Sequence, residues 1–307
     1  MNGQLSLFSE DNLNRNKYYQ NLEDFNLKAA IENLKKWGQA FNPPSDLDQR
    51  AESLNWLQDQ LKNRLEPSYL AWLYQTADRM QQLQPLQKDM FHLKRGICKM
   101  LYERLHKNAF DFIAEDLHPA EIFIRQNDLE AAGNSLENYF GHYGEHPYLR
   151  ELQAYVHWQR KEIHAAMEFY TFAVFADPFS LKEKYLKPKT FRRKLEALRH
   201  KFSDENKARA RWAFELWRDG QTYIGGNRQS FEIFLKNKEQ QLSAKPNDLI
   251  CKTLRFSALL FLAESERLRA YPNRPGASFT LLQEQMRNLN YEQYVIYINT
   301  LKSFRNI

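Results

Sequence analysis

The residues best equipped for chemistry are cations. Between Lys182 and Arg211 twelve lysines and arginines stand against four acids, Glu183, Glu196, Asp204 and Glu205. The whole chain carries +6, so the excess is local to this run and the remainder is slightly negative. Within it, "KTFRRKLEALRHKF" spaces Phe191, Leu195, Leu198 and Phe202 as one apolar stripe of a helix. Lys187, Lys189, Arg192, Arg193, Lys194, Arg199 and Lys201 surround that stripe. Such cations neutralise phosphates and bind nucleic-acid backbone without reading sequence. The competing reading is a solvated face, or one paired with acids such as Glu115, Asp116, Asp128 or Glu130. Trp212, Phe214 and Trp217 follow at once; at helical spacing they read as core before they read as platforms for bases.

Other chemistry finds little footing. His142 and His146 stand four apart in "FGHYGEHP", which reads as a loop, and His157 and His164 straddle a turn. A zinc site needs three or four converging ligands, and none can be assembled. The chain has no GxSxG, phosphate loop, HExxH or GxGxxG. "IGGNRQS" (224–230) is a weak candidate anion cradle at a helix start. No catalytic residue, cofactor or metal is expected. Cys98 and Cys251 are far apart in sequence, in keeping with a reducing cytoplasm. No apolar run approaches a membrane span, and the first residues lack the charged and apolar regions of a signal peptide.

The first residues pose a different question. "GQLSLFSEDN" places Leu5, Leu7 and Phe8 ahead of a polar run, Ser9–Asn16. A leucine–phenylalanine pair offers about 1.5–3 kcal/mol of burial per side chain, and the polar run separates it from the first periodic helix. Gln4-Leu5-Ser6-Leu7-Phe8 resembles the short peptide by which bacterial polymerases, repair proteins and replication regulators bind the ring-shaped sliding clamp. It fills every position of that consensus over five residues. The resemblance implies Gln4 in a polar subsite, Leu7 and Phe8 in an apolar pocket, Leu5 at its rim and Ser6 facing outward. Ordering a short tail offsets part of the burial, so the expected affinity is micromolar.

These candidates must be positioned by helices. Glycine is scarce, at ten in 307 residues, and apolar residues recur at three- and four-residue spacing. The spacing predicts helices over about 17–41, 46–64, 67–84, 86–107, 115–126, 128–142, 147–160, 162–176, 180–201, 204–218, 228–243, 248–270 and 278–304. Three segments share a pattern: "DFNLKAAIENLKKWGQAFNPP", "DLEAAGNSLENYFGHYGEHP" and "EIHAAMEFYTFAVFADP". Each has an Ala-Ala pair ending at Ala30, Ala132 or Ala166. An apolar residue follows four later (Leu34, Leu136, Tyr170), and Trp37, Tyr139 or Ala173 stands seven later. The last two alanines are 34 residues apart, and the first two are separated by three times that.

This period and pattern resemble the tetratricopeptide superfamily, most clearly over about 115–180. The pattern breaks at Arg64, and Cys98 is a passable small residue at its register. The resemblance implies an all-α antiparallel helix-pair repeat array. The expected layout is a flexible N-terminal peptide (1–16), a repeat body (17–218) and a C-terminal helical region (219–307), continuous with the body or separate. The expected function is binding: a bacterial adaptor in replication, repair or defence, recruited to the sliding clamp by residues 4–8. Its body would hold an unidentified protein partner, its basic segment would touch DNA, and it would have no membrane role. The alternative is a tetratricopeptide-like scaffold without clamp or DNA role.

Overall fold

The structure is a computed structural model. It describes the backbone of residues 2–39, 44–62, 64–243 and 248–305, and side chains over 12–39, 44–62, 64–238 and 248–303. The described residues form helices, with no strand among them. Helices adjacent in sequence pack as neighbours. The chain divides into two compact units, Met1–Ser135 and Leu136–Ile307.

The first unit begins with α1 (Asn2–Glu23) and α2 (Leu27–Gly38). The sequence reading runs one helix through this region. Phe25 interrupts it in the left-handed conformation, at φ 55°, and the Asn26 side chain caps α2 by accepting from Ala29 N at 3.2 Å. The backbone of residues 2–16 is helical and belongs to α1, whereas the periodicity starts the first helix near 17. No described residue of α1 before Tyr18 is buried. The side chains of Gln4, Leu5, Ser6, Leu7 and Phe8 lie outside the described residues.

α3 (Leu47–Leu61) and α4 (Pro67–Thr76) follow, then two 3₁₀ segments, Ala77–Arg79 and Gln81–Asp89, and α5 (Met90–Arg104). The helices expected over 67–84 and 86–107 are thus shortened on either side of a 3₁₀ stretch. Pro85, inside that stretch, has no N–H for an α-helical bond. α1 and α5 cross closely. A Cβ on Gly96 of α5 would collide with the Leu22 carbonyl of α1, so glycine is required there by the approach itself.

One buried ionic cluster ties these elements. Arg50 of α3 donates from one terminal nitrogen to both Asp89 oxygens, at 2.9 and 3.0 Å, and from Nε to Asp46 at 2.8 Å. Tyr18 of α1 donates its hydroxyl to Asp89 at 2.8 Å. Burial pushes the Asp89 carboxyl up, while the Tyr18 bond and the Arg50 charge oppose it. α6 (Pro119–Arg125) and the first half of α7 (Leu129–Tyr143) complete the unit. α7 continues through Gly141 and His142, where a loop was expected. His142 Nδ1 lies 2.8 Å from the Asn138 carbonyl, and Tyr143 packs on Tyr139 one turn before it.

The second unit continues with α8 (Pro147–Gln159), α9 (Ile163–Ala176), α10 (Lys189–Phe202) and α11 (Glu205–Arg218). α12 (Arg228–Ser243), α13 (Leu249–Ala270), α14 (Ala277–Leu289) and α15 (Tyr291–Arg305) follow. α10 starts later than the expected 180, after a 3₁₀ turn at Glu183–Tyr185. Pro188 disfavours helical backbone at Lys187 and so sets the start. The helix expected over 278–304 is two. Asn290 breaks it and caps α15 by accepting from Gln293 N at 3.1 Å. The core is aromatic: Tyr170, Phe172, Trp212, Phe214, Phe231, Phe256 and Phe261 are fully enclosed.

Ala30, Ala132 and Ala166 have no exposed surface, nor do Leu34, Leu136 and Tyr170. Ala173 is also buried, while Trp37 and Tyr139 are half-buried. Arg64 lies beyond the end of α3, and Cys98 is buried within α5.

The cluster in the first unit generates a stability prediction. Arg50→Ala leaves Asp89 buried without its cation and is expected to cost about 3–5 kcal/mol. Asp89→Ala should cost a similar amount, and the double variant less than the two summed. Urea unfolding of the full chain measures all three.

Candidate nucleic-acid interface

α10 sorts its cations by angle. At 100° per residue, Phe191, Leu195, Leu198 and Phe202 fall on one side, where the first three are buried and Phe202 half-buried. Lys189, Arg192, Arg193, Glu196, Ala197, His200 and Lys201 fall opposite, and all are exposed. Lys194 and Arg199 lie on the two flanks.

The flanking cations meet acids of the same unit. Lys194 pairs with Asp219. Arg199 donates to Glu205 at 2.6 and 2.7 Å and also pairs with Glu183. Arg209 of α11 joins the same two acids, at 2.5 Å to Glu205 and 2.7 Å to Glu183. The bond from Arg199, with help from Arg209, holds the Glu205 carboxyl down at about 2. These acids were counted in the sequence as charge. Their pairing was hidden because Arg199 and Glu205 sit on different helices and Glu183 precedes both.

The outward cations differ. Among the described residues Lys189, Arg192 and Arg193 make no ion pair, and Lys201 rests its ammonium 5.3 Å from the centre of the Phe202 ring. Lys187, just before the helix, is half-buried with its ammonium 4.8 Å from the Tyr155 ring centre. From Lys189 to Lys201 the stripe spans about 18 Å at 1.5 Å per residue. Of the seven candidate cations, four therefore form one accessible face, Lys187 stands at its start, and Lys194 and Arg199 brace the helix.

The brace extends inward. Trp212 of α11 donates its indole N–H to the Phe191 carbonyl at 3.0 Å. Tyr170 of α9 donates its hydroxyl to the Tyr185 carbonyl at 2.6 Å and accepts from Lys187 N at 3.4 Å. Asp204 caps α11 by accepting from Asn206 N and Lys207 N at 2.9 and 3.2 Å. Trp212, Phe214 and Trp217 are all buried and make the core behind the stripe. They pack on other side chains of the chain, Phe214 edge-on to Phe256 and Trp217 tilted against Tyr297. No phenylalanine, tyrosine or tryptophan stands on the exposed face of α10; His200 is its one ring, so the stripe offers mainly charge.

The remaining candidates are placed elsewhere. His157 Nδ1 lies 2.5 Å from Glu162, and His164 lies 3.6 Å from Glu168. Burial pushes the His146 imidazole down. Among the described residues no three histidine, cysteine or acidic side chains converge as metal ligands. In the "IGGNRQS" loop, a Cβ on Gly225 would meet the Glu168 carboxylate. Arg228, which starts the following helix, pairs with Glu232 at 2.7 Å and with Glu266. A carboxylate in the cradle and two on its arginine make this a poor anion site.

Sequence reasoning missed Glu151. It lies on α8, fully enclosed, and its Oε2 accepts from Lys182 N at 2.7 Å. Burial pushes its carboxyl up to about 8, against the pull of the Lys182 bond and of Lys182, Arg209 and Lys184. The bond fastens the loop that leads into α10. No local spacing signals it, because Lys182 lies two elements further along the chain.

Compared with protein-family models, with curated proteins and with solved structures, the chain matches none.

The raised Glu151 value gives a signed pH dependence. Between the ordinary 4.5 and about 8 the folded chain holds a proton that the unfolded chain has lost. This group's contribution to stability therefore falls by about 1.4 kcal/mol per pH unit across that window and then levels off. Urea titrations from acid to alkaline pH should show wild type losing stability relative to Glu151→Gln over the window. A constant difference between the two would contradict the assignment.

Proposed function

We propose that this chain is a non-enzymatic adaptor that contacts nucleic-acid backbone through α10 and holds a protein partner on its helical body. The observation that carries the reading is the division of cations on α10: Lys194 and Arg199 are bound by acids, while Lys189, Arg192, Arg193 and Lys201 share one open face. A face used only for solubility would not need both flanks braced. Cations held on a rigid helix lose little freedom when phosphates arrive. With no phenylalanine, tyrosine or tryptophan on the face, the reading favours duplex backbone over single strands, and positioning over sequence recognition.

Recruitment to a bacterial sliding clamp through Gln4, Leu5, Ser6, Leu7 and Phe8 belongs to the same proposal. It is supported by the fit to the five-residue consensus. It is also supported by the exposed stretch of α1 before Tyr18, which leaves the described start of that helix outside the core. A micromolar peptide and a weak backbone contact would reinforce each other by raising local concentration. The body is read as a degenerate tetratricopeptide-like array. The buried alanines at Ala30, Ala132 and Ala166 and the close pairing of α8 with α9 support this.

Two measurements test the reading. Retention on duplex DNA should weaken with salt, and Arg192→Glu/Arg193→Glu should reduce the logarithmic salt slope by about two and abolish retention near physiological salt. Retention unchanged by those reversals removes the DNA role. A peptide of residues 1–12 should bind bacterial clamp with micromolar affinity and lose it with Leu7→Ala/Phe8→Ala. Absence of binding at high micromolar peptide removes the clamp role.

A further inference from the structure

α12, α13 and α14 form an open groove of about 740 Å³ in the second unit, away from α10 in sequence and built from other residues. α12 and α14 both pack on α13, which supplies the floor. Leu259 and Leu262 of α13 lie along that floor, with Leu235 from α12 and Leu289 from α14 on the walls. All four are half-buried, each with one side against the core and the other open. A row of partly covered leucines along a channel is incomplete packing, since each gains by being covered.

The polar groups at the groove are unbalanced. Glu232 is its acidic lining residue, and Arg228 engages it at 2.7 Å. Lys236 of α12 and Arg255 of α13 line the groove, and among the described residues neither has an ion-pair partner. An apolar floor with two uncompensated cations at the edge attracts an apolar surface flanked by carboxylates and repels one flanked by amines. The channel is open, whereas small-molecule sites enclose most of their ligand. A groove between two helices over a third is the setting in which an amphipathic helix lays down its apolar face.

We propose that this groove docks an acidic amphipathic helix of a partner protein, with leucine-type anchors on Leu259, Leu262, Leu235 and Leu289 and carboxylates at Lys236 and Arg255. The proposal rests on the adaptor reading in one respect: it gives the partner-holding role a place and a chemistry.

The test uses the full chain and two labelled peptides of about eighteen residues, long enough for five helical turns. One has leucine at i, i+3, i+4 and i+7 spacing with glutamate on the polar face. The other has lysine in place of each glutamate. Fluorescence anisotropy is expected to show binding of the acidic peptide. Lys236→Glu/Arg255→Glu should weaken it about tenfold or more, and that variant should now prefer the lysine peptide. Arg192→Glu/Arg193→Glu should leave acidic-peptide binding unchanged, because the stripe on α10 is a separate surface. The proposal is overturned by no binding at millimolar peptide, by loss that follows the α10 reversal instead, by equal binding of the two peptides, or by equal binding of a third, control peptide that keeps the glutamates and lacks the leucines. Failure of the unsubstituted chain to retain DNA, with peptide binding intact, would count against the α10 reading alone. The converse would count against the groove alone.

Discussion

The hydrogen bond from the Trp212 indole to the Phe191 carbonyl sets the orientation on which the proposed interface depends. It is formed inside the core, where a missing partner would leave a polar group unsatisfied at a cost of about 1–3 kcal/mol. With Phe191, Leu195 and Leu198 buried, α10 cannot roll without exposing them. Its cations are thereby assigned by geometry to solvent or to flanks. Arg199 and Lys194 complete the restraint from two sides, each on an acid belonging to another element.

Buried charge is handled differently in the two units. In the first, Asp89, Arg50 and Tyr18 form a closed set in which every charge has an immediate partner. Such a set costs desolvation and returns it only when complete, so it specifies how α1, α3 and the 3₁₀ stretch meet more than it stabilises them. In the second, Glu264 is enclosed by Arg267 at 2.7 Å and by the Tyr297 hydroxyl at 3.1 Å. Glu151 is the exception. Its Oε2 accepts from Lys182 N, and burial raises its carboxyl against the pull of that bond and of the Lys182, Arg209 and Lys184 charges. The carboxyl that fastens the loop before α10 is also the one most altered by burial.

The surface follows from the same rule of satisfied and unsatisfied partners. Where an acid lies within reach, a lysine or arginine braces the fold, as Lys238 does on Asp177 and Arg150 on Glu145. Where none does among the described residues, the cation stays open to solvent. Two such places recur, the outer face of α10 and the groove over α13. They differ in what accompanies the charge: nothing apolar larger than Ala197 on the first, a strip of leucines on the second. That difference separates a surface suited to phosphates from one suited to another protein.

Much of this was legible in the chain alone. Scarce glycine and a three-to-four residue period determine helices, because backbone preference and amphipathic spacing are local properties. The apolar stripe of α10, the burial of Trp212, Phe214 and Trp217, and the burial of Ala30, Ala132 and Ala166 are all legible from that spacing. The interruption at Phe25 is not legible there; the break between 84 and 86 at Pro85 is, but not its spread over the 3₁₀ segments Ala77–Arg79 and Gln81–Asp89. A left-handed phenylalanine and the length of a proline's effect depend on what packs around them. Nor could spacing tell which cations on the basic run are free. Charge is a property of composition, but availability depends on acids brought near by folding. Arg199 meets Glu183 and Glu205 across three elements, and the groove over α13 exists only where three helices meet. Sequence determined the kinds of surface this protein can offer. Tertiary structure decided which of them remain open, because only folding sets which charges and which leucines find their partners at home.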